Sequence, residues 1–259
     1  MLDQPAAATF IVGKLWKEFV SPTPDRAAVE RIAQHLRASD YDIGVALADL
    51  LQSDAFWAES NRGSLIKSPV DLVVGTLRQF DFSYADALPF VLKTAQLGQN
   101  LLVPPNVKGW PGQNDWINAT TLLERKRFTE QLFRAVETRA APATPPPAVE
   151  PDGAMRPAKK MQAEFAGGAA RAGGNQQAIR LLGPAAARRL IEGMSSIAFD
   201  PERWLAQYGG HSDAVPSDAV KARLAHTLLA LPATHLIADG TVGVAYLRSL
   251  TLDPAYQLK

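Results

Sequence analysis

Four cationic side chains and two tryptophans gather around two turns punctuated by glycine and proline. Arg62 and Lys67 flank the first, in NRGSLIKSPVDLVVGTL. Lys108, Trp110 and Trp116 belong to the second, PPNVKGWPGQNDW, and Arg125 follows on the next predicted helix. Such a set suits the capture of an anion. Lys67 and Lys108 would supply charge, Asn106 and Asn118 directional hydrogen bonds, and the two indoles a stacking wall. Ser68-Pro69 reads as the cap and first residue of a helix whose unpaired N–H groups could donate to the Ser68 hydroxyl or, with Lys67 alongside, to an anion. A plainer alternative is a capped helix after a tight turn.

The second turn is stiff. Pro104-Pro105 forces extended backbone, and Pro111 restricts Trp110. Gly109 and Gly112 allow positive φ or close backbone approach. A stiff loop loses little entropy on binding. It serves equally well if both tryptophans plug the core and the loop only fixes the angle between two helices. The run Glu124-Arg125-Lys126-Arg127 is ordinarily a solvated helix face, yet Arg125 lies two turns in and can point back toward Lys108. Convergence of Arg62, Lys67, Lys108 and Arg125 would make a cationic pocket, with Ser68 at its edge.

Other chemistry lacks a signature. There is no GxxxxGK[ST], HExxH, GxSxG or GxGxxG. His35, His211, His226 and His235 never fall three or four apart, so no helix face offers two imidazoles to a metal. Cysteine is absent, which excludes disulfides and thiolate chemistry. No metal and no cofactor are expected, and no catalytic residue is assigned. The carboxylates that could serve an acid or base role beside the lysines are Asp71, Asp115 and Glu124. A net charge of +1 supplies no field for nucleic acid. No stretch reaches the ~20 apolar residues of a membrane span. Lys14 and Lys17 interrupt the apolar N-terminus, so it does not read as an export signal. Asn118-Ala119-Thr120 matches a glycosylation triplet at a helix start, where it is discounted.

The elements that must position these residues are helical. Ala8, Val12, Leu15, Trp16 and Phe19 form one stripe, and Val29, Ile32, Ala33 and Leu36 another after Thr23-Pro24. Ile43, Leu47, Leu50 and Leu51 repeat the period, as do Val73, Thr76, Leu77 and Phe80. Leu88 to Ala95 precede Gly98 at a C′ position. Asn114 or Asp115 is placed to cap a long helix to about Val136 with Leu122, Leu123, Phe128, Leu132 and Val136 inward. Helical patterns resume at Pro184–Met194, Asp200-Pro201 and Ser217, and the ambiguous TVGVAYL is read as helix. The fold class is all-α, an irregular multi-helix bundle with a long Pro/Gly-rich linker or insertion. The expected division is a helical core region over 1–137, a flexible linker over 138–178 that holds one short helix near Met155 to Phe165, and a C-terminal helical region over 179–259 packing on the first.

RGSLIKSPVDLVVGTLR, LLVPPNVKGWPGQNDWINATTLLERKRF and the terminal DPAYQLK resemble the bacterial family called domain of unknown function 1800 (DUF1800). The opening PAAATFIVGKLWKEFV is similar to the segment leading into that family's C-terminal half. The resemblance implies a mostly helical, exported protein, periplasmic or extracellular. It also implies a shared pathway or complex with a second exported family of the phosphatase and sulfatase fold. Members are typically about twice this length, so the chain reads as a C-terminal portion without the N-terminal half and signal peptide. The functional expectation is a helical binding or accessory protein with a cationic-aromatic loop site. The alternatives are a hydrolase using a carboxylate beside Lys67 and Lys108, or a fragment whose motifs only brace the fold.

Overall fold

The computed structural model describes residues 4–140 and 196–259. The 141–195 segment, with most of the expected linker and the helices expected near Met155 and Pro184, lies outside them. Ten α-helices and three short 3-10 turns make up the regular structure of the described residues, with no strand among them. The protein is all-α. None of these helices is long and apolar enough to cross a membrane.

Three helices build the first core. Helix α1 (Pro5–Phe19), α2 (Arg26–Ala38) and α3 (Ile43–Leu51) bury Ala8, Val12, Trp16, Val29, Ile32, Leu36, Ala46 and Leu50 together. The Trp16 indole N–H donates to Ser21 at 3.0 Å, so this large ring is buried without an orphaned donor. Helix α2 starts later than Thr23-Pro24 suggests. Asp25 is its cap, and the carboxylate accepts from the Ala28 amide. The short α4 (Asp54–Trp57) and a 3-10 turn at Glu59–Asn61 lead into the RGSLIKSP turn.

A second, larger core joins α5 (Pro69–Gln79), α6 (Leu88–Gln96) and α7 (Ala119–Ala140) to α8 (Pro201–Ala206), α9 (Asp218–Leu228) and α10 (Gly243–Leu252). Its centre is aromatic. Phe80 meets Phe133 edge-on at 4.9 Å, and Phe82, Phe199 and Trp204 surround the pair. Ser83 and Ala198 bond reciprocally across an antiparallel bridge. Helix α10 lies along α7.

Two readings of α7 change. A separate 3-10 turn takes Gln113–Trp116, so Asn118 rather than Asn114 or Asp115 caps the helix. Its side-chain oxygen accepts from the Thr121 amide, and the Thr121 hydroxyl accepts from the Asn118 amide. The buried stripe also shifts. Leu123 is exposed, whereas Arg125, Phe128, Thr129, Leu132, Phe133 and Val136 face inward.

Gly243 opens α10 where no side chain fits. An added Cβ would collide with the His211 carbonyl oxygen and lie 2.9 Å from Leu205 Cδ1 and Ser212 Cα. Gly243→Ala is therefore expected to cost about 3 kcal/mol, the upper range of overpacking. The urea midpoint checks this, and an unchanged midpoint would show that the 209–214 loop can move aside.

Candidate functional site

The RGSLIKSP turn is fixed from both sides. Gly63 has φ +68°, and a side chain there would strike Leu231. After it, residues 65–67 pair antiparallel with the C-terminal tail. The Leu65 and Lys259 amides exchange bonds with each other's carbonyls, and the Lys67 amide donates to Gln257 O at 2.8 Å. Ser68 then caps α5 in a reciprocal box with Asp71. The amides of Val70, Asp71 and Leu72 are bonded to Gln99, the Ser68 hydroxyl and the Ser68 carbonyl. The start of α5 therefore has no free N–H to offer an anion.

Lys67 is half-buried, and its Nζ sits 3.9 Å over the Tyr256 ring. Burial pushes its pKa down to about 8; Asp71 opposes this, while Arg125 and Lys259 add to it. Asp71 pairs with Lys259 at 2.7 Å, and Lys259 also reaches Glu18 on α1 at 3.1 Å. Burial alone would raise the Asp71 pKa, but Lys259 and Ser68 outweigh it and hold the carboxyl low. Tyr256 is fully buried, with its hydroxyl bonded to Thr76 and Gln79. Burial raises its pKa.

Arg125 is 0% exposed. Its Nη1 donates to Lys67 O at 2.9 Å and to Gln257 Oε1 at 3.3 Å. So Lys67 and Arg125 come together, in a cluster completed by Tyr256, Gln257, Asp71 and Lys259. Burial lowers the Arg125 pKa to about 10, with only Asp71 opposing.

The remaining candidates sit elsewhere. Arg62 is exposed, 4.0 Å from Glu59. Lys108 is exposed, and among the described residues neither cation bonds to Lys67 or Arg125. Asn106 is spent on its own turn, its side chain accepting from the Lys108 amide at 2.8 Å. Asn118 is spent on the cap of α7. Trp116 is buried, and Trp110 is half-buried with its indole N–H enclosed and unpartnered among the described residues. Gln113, at φ +54°, accepts from the Ile66 amide at 3.4 Å and donates to Lys17 O at 3.3 Å, tying the two turns and α1 together.

Of the three carboxylates, Asp71 is paired as described. Glu124 is held between Lys93, Gln96 and Arg127, and Asp115 is exposed. No cluster of three or more potential metal ligands occurs among the described residues. Two concavities, a 220 Å³ hollow lined by Lys221, His235 and Tyr246 and an open 460 Å³ groove lined by Phe10, Lys14 and Lys17, include none of the candidate residues.

The fold and site thus define an all-helical protein with a cationic polar cluster in its core and a stiff loop at its surface. The chain belongs to the DUF1800 family: the model of that family, described as a protein of unknown function, matches residues 1–236. The match ends before the 253–259 tail that completes the cluster. No curated protein and no solved structure matches the chain.

Proposed function

We propose that the chain is a helical binding or accessory protein that engages a partner protein through the 98–112 loop. The observation that carries this reading is the display of apolar side chains on a stiff scaffold. Leu102 is 91% and Val107 105% exposed, flanked by exposed Leu101 and Val103 and by Lys108. Leu102 holds φ +66°, a left-handed conformation that costs a branched residue roughly 1–2 kcal/mol. Strain of this kind collects where a surface is shaped for contact. Asn106 stabilises the loop and Asn118 the helix after it, which leaves Leu102, Val107 and Lys108 to meet a partner. An apolar centre with a cationic rim fits a protein surface better than a small polar solute. The resemblance points to an exported protein of the phosphatase and sulfatase fold as that partner.

Leu102→Ser/Val107→Ser should leave stability within about 0.5 kcal/mol, as surface changes do. It should also weaken co-purification of such a partner at least ~10-fold, the effect of ~1.4 kcal/mol. Lys108→Ala should likewise fold normally and reduce capture. Equal capture by all three proteins would refute the docking role.

A further inference from the structure

We propose that Arg125, Gln257 and Lys67 form a buried binding site for a small oxyanion: a carboxylate, or a phosphate or sulfate group. This site is independent of the surface loop. Arg125 uses Nη1 on Lys67 O and Gln257 Oε1. Its Nε and Nη2 are fully enclosed and have no acceptor among the described residues. Those two nitrogens form one edge of the guanidinium and point their N–H bonds the same way. That edge is the fork that grips two oxygens of one carboxylate or phosphate.

Gln257 Nε2 is a third enclosed donor without an acceptor, on a residue only 4% exposed. It stands against Arg125, because its neighbouring atom Oε1 accepts from Nη1, and so adds an unsatisfied donor to the same cluster. Lys67 adds a second cation, steadied by the Tyr256 ring. The nearest opposing charge is committed elsewhere: Asp71 Oδ2 takes Lys259 and the Ser68 amide. Buried charges in native proteins are paired, and buried donors are satisfied. Water could fill the hydrogen bonds but brings no charge. An oxyanion supplies both at once.

The test is thermal melting of the full chain in sodium phosphate, sulfate or acetate, each compared with chloride at equal ionic strength. These salts also stabilise proteins generally by exclusion from the surface. The control is therefore Gln257→Glu, which places an internal carboxylate against Arg125. Binding should raise the melting temperature of the unaltered chain on the order of 5 °C or more at 100-fold excess over Kd. Gln257→Glu should melt higher than the unaltered chain in chloride and lose the extra response. Arg125→Met gives a second control if Gln257→Glu does not fold. A response to phosphate and sulfate alone assigns a tetrahedral group, and a response to acetate alone a carboxylate. A shift no larger in the unaltered chain than in these variants overturns the proposal.

Discussion

Asp253→Ala should lower stability by about 3 kcal/mol and free the C-terminal tail from residues 65–67. Asp253 is 2% exposed, and its carboxylate accepts from the amides of Thr234, His235 and Ala255, each at 2.8 Å, and from the Thr234 hydroxyl. Bonds to a charged acceptor contribute about 1.5–3 kcal/mol each. Thr234 and His235 are exposed, so water can recover part of their loss. Ala255 is buried, and its amide stays orphaned. That amide opens the 3-10 turn Pro254–Gln257, which aims Tyr256 and Gln257 into the core.

The effect has a pH signature. Burial would raise the Asp253 pKa, but the Ala255, His235 and Thr234 donors outweigh it and hold it below the ordinary carboxylate range. A carboxyl depressed on folding stabilises fully above its unfolded pKa and loses that contribution as pH falls through its folded one. The gap between the unaltered chain and Asp253→Ala should therefore be full at pH 7 and shrink in acid. Urea midpoints at several pH values measure the gap, and amide exchange at Leu65, Lys67 and Lys259 reports tail release. Unchanged protection of those amides would detach Asp253 from the tail.

The helices were legible because apolar periodicity and capping chemistry are local. Ser68, Asp200 and the stripe of α2 needed no tertiary information. The site was less legible, and α7 shows why. Residues 125, 128, 129, 132, 133 and 136 share one helical face, so the period itself places Arg125 inward. A charge run suggested a solvated face, and the apolar Leu122 and Leu123 pulled the stripe out of phase. Asn106 and Asn118 have the chemistry of ligand contacts but sit where turn and cap geometry uses that chemistry locally. Gln257 and Lys259 lie more than 180 residues from the turn they complete. Their pairing with Leu65–Lys67 is an antiparallel bridge of a few residues, too short to leave a pattern.

Arg125 offers the sharpest contrast between two substitutions. Arg125→Ala removes two methylenes, about 1.6 kcal/mol of burial. It leaves a cavity of order 100 Å³, about 2.4 kcal/mol more. It also strips the donor from Lys67 O and Gln257 Oε1, a further ~1–3 kcal/mol. Against this stands relief of the buried charge. A guanidinium whose pKa burial lowers to about 10 carries a penalty on the order of a few kcal/mol at neutral pH. The net expectation is a loss of about 3 kcal/mol. Arg125→Met keeps most of the volume and discards the charge, so only the two acceptors suffer. In chloride it should be as stable as the unaltered chain or more so by about 1–2 kcal/mol, as when a buried ion gives way to a hydrophobic residue. In phosphate the order should reverse, because only the unaltered chain then gains its counterion. Denaturant titrations in the two salts decide the matter. A methionine variant weaker by ~3 kcal/mol in both would make Arg125 a structural brace whose bonds to Lys67 and Gln257 suffice without any ligand.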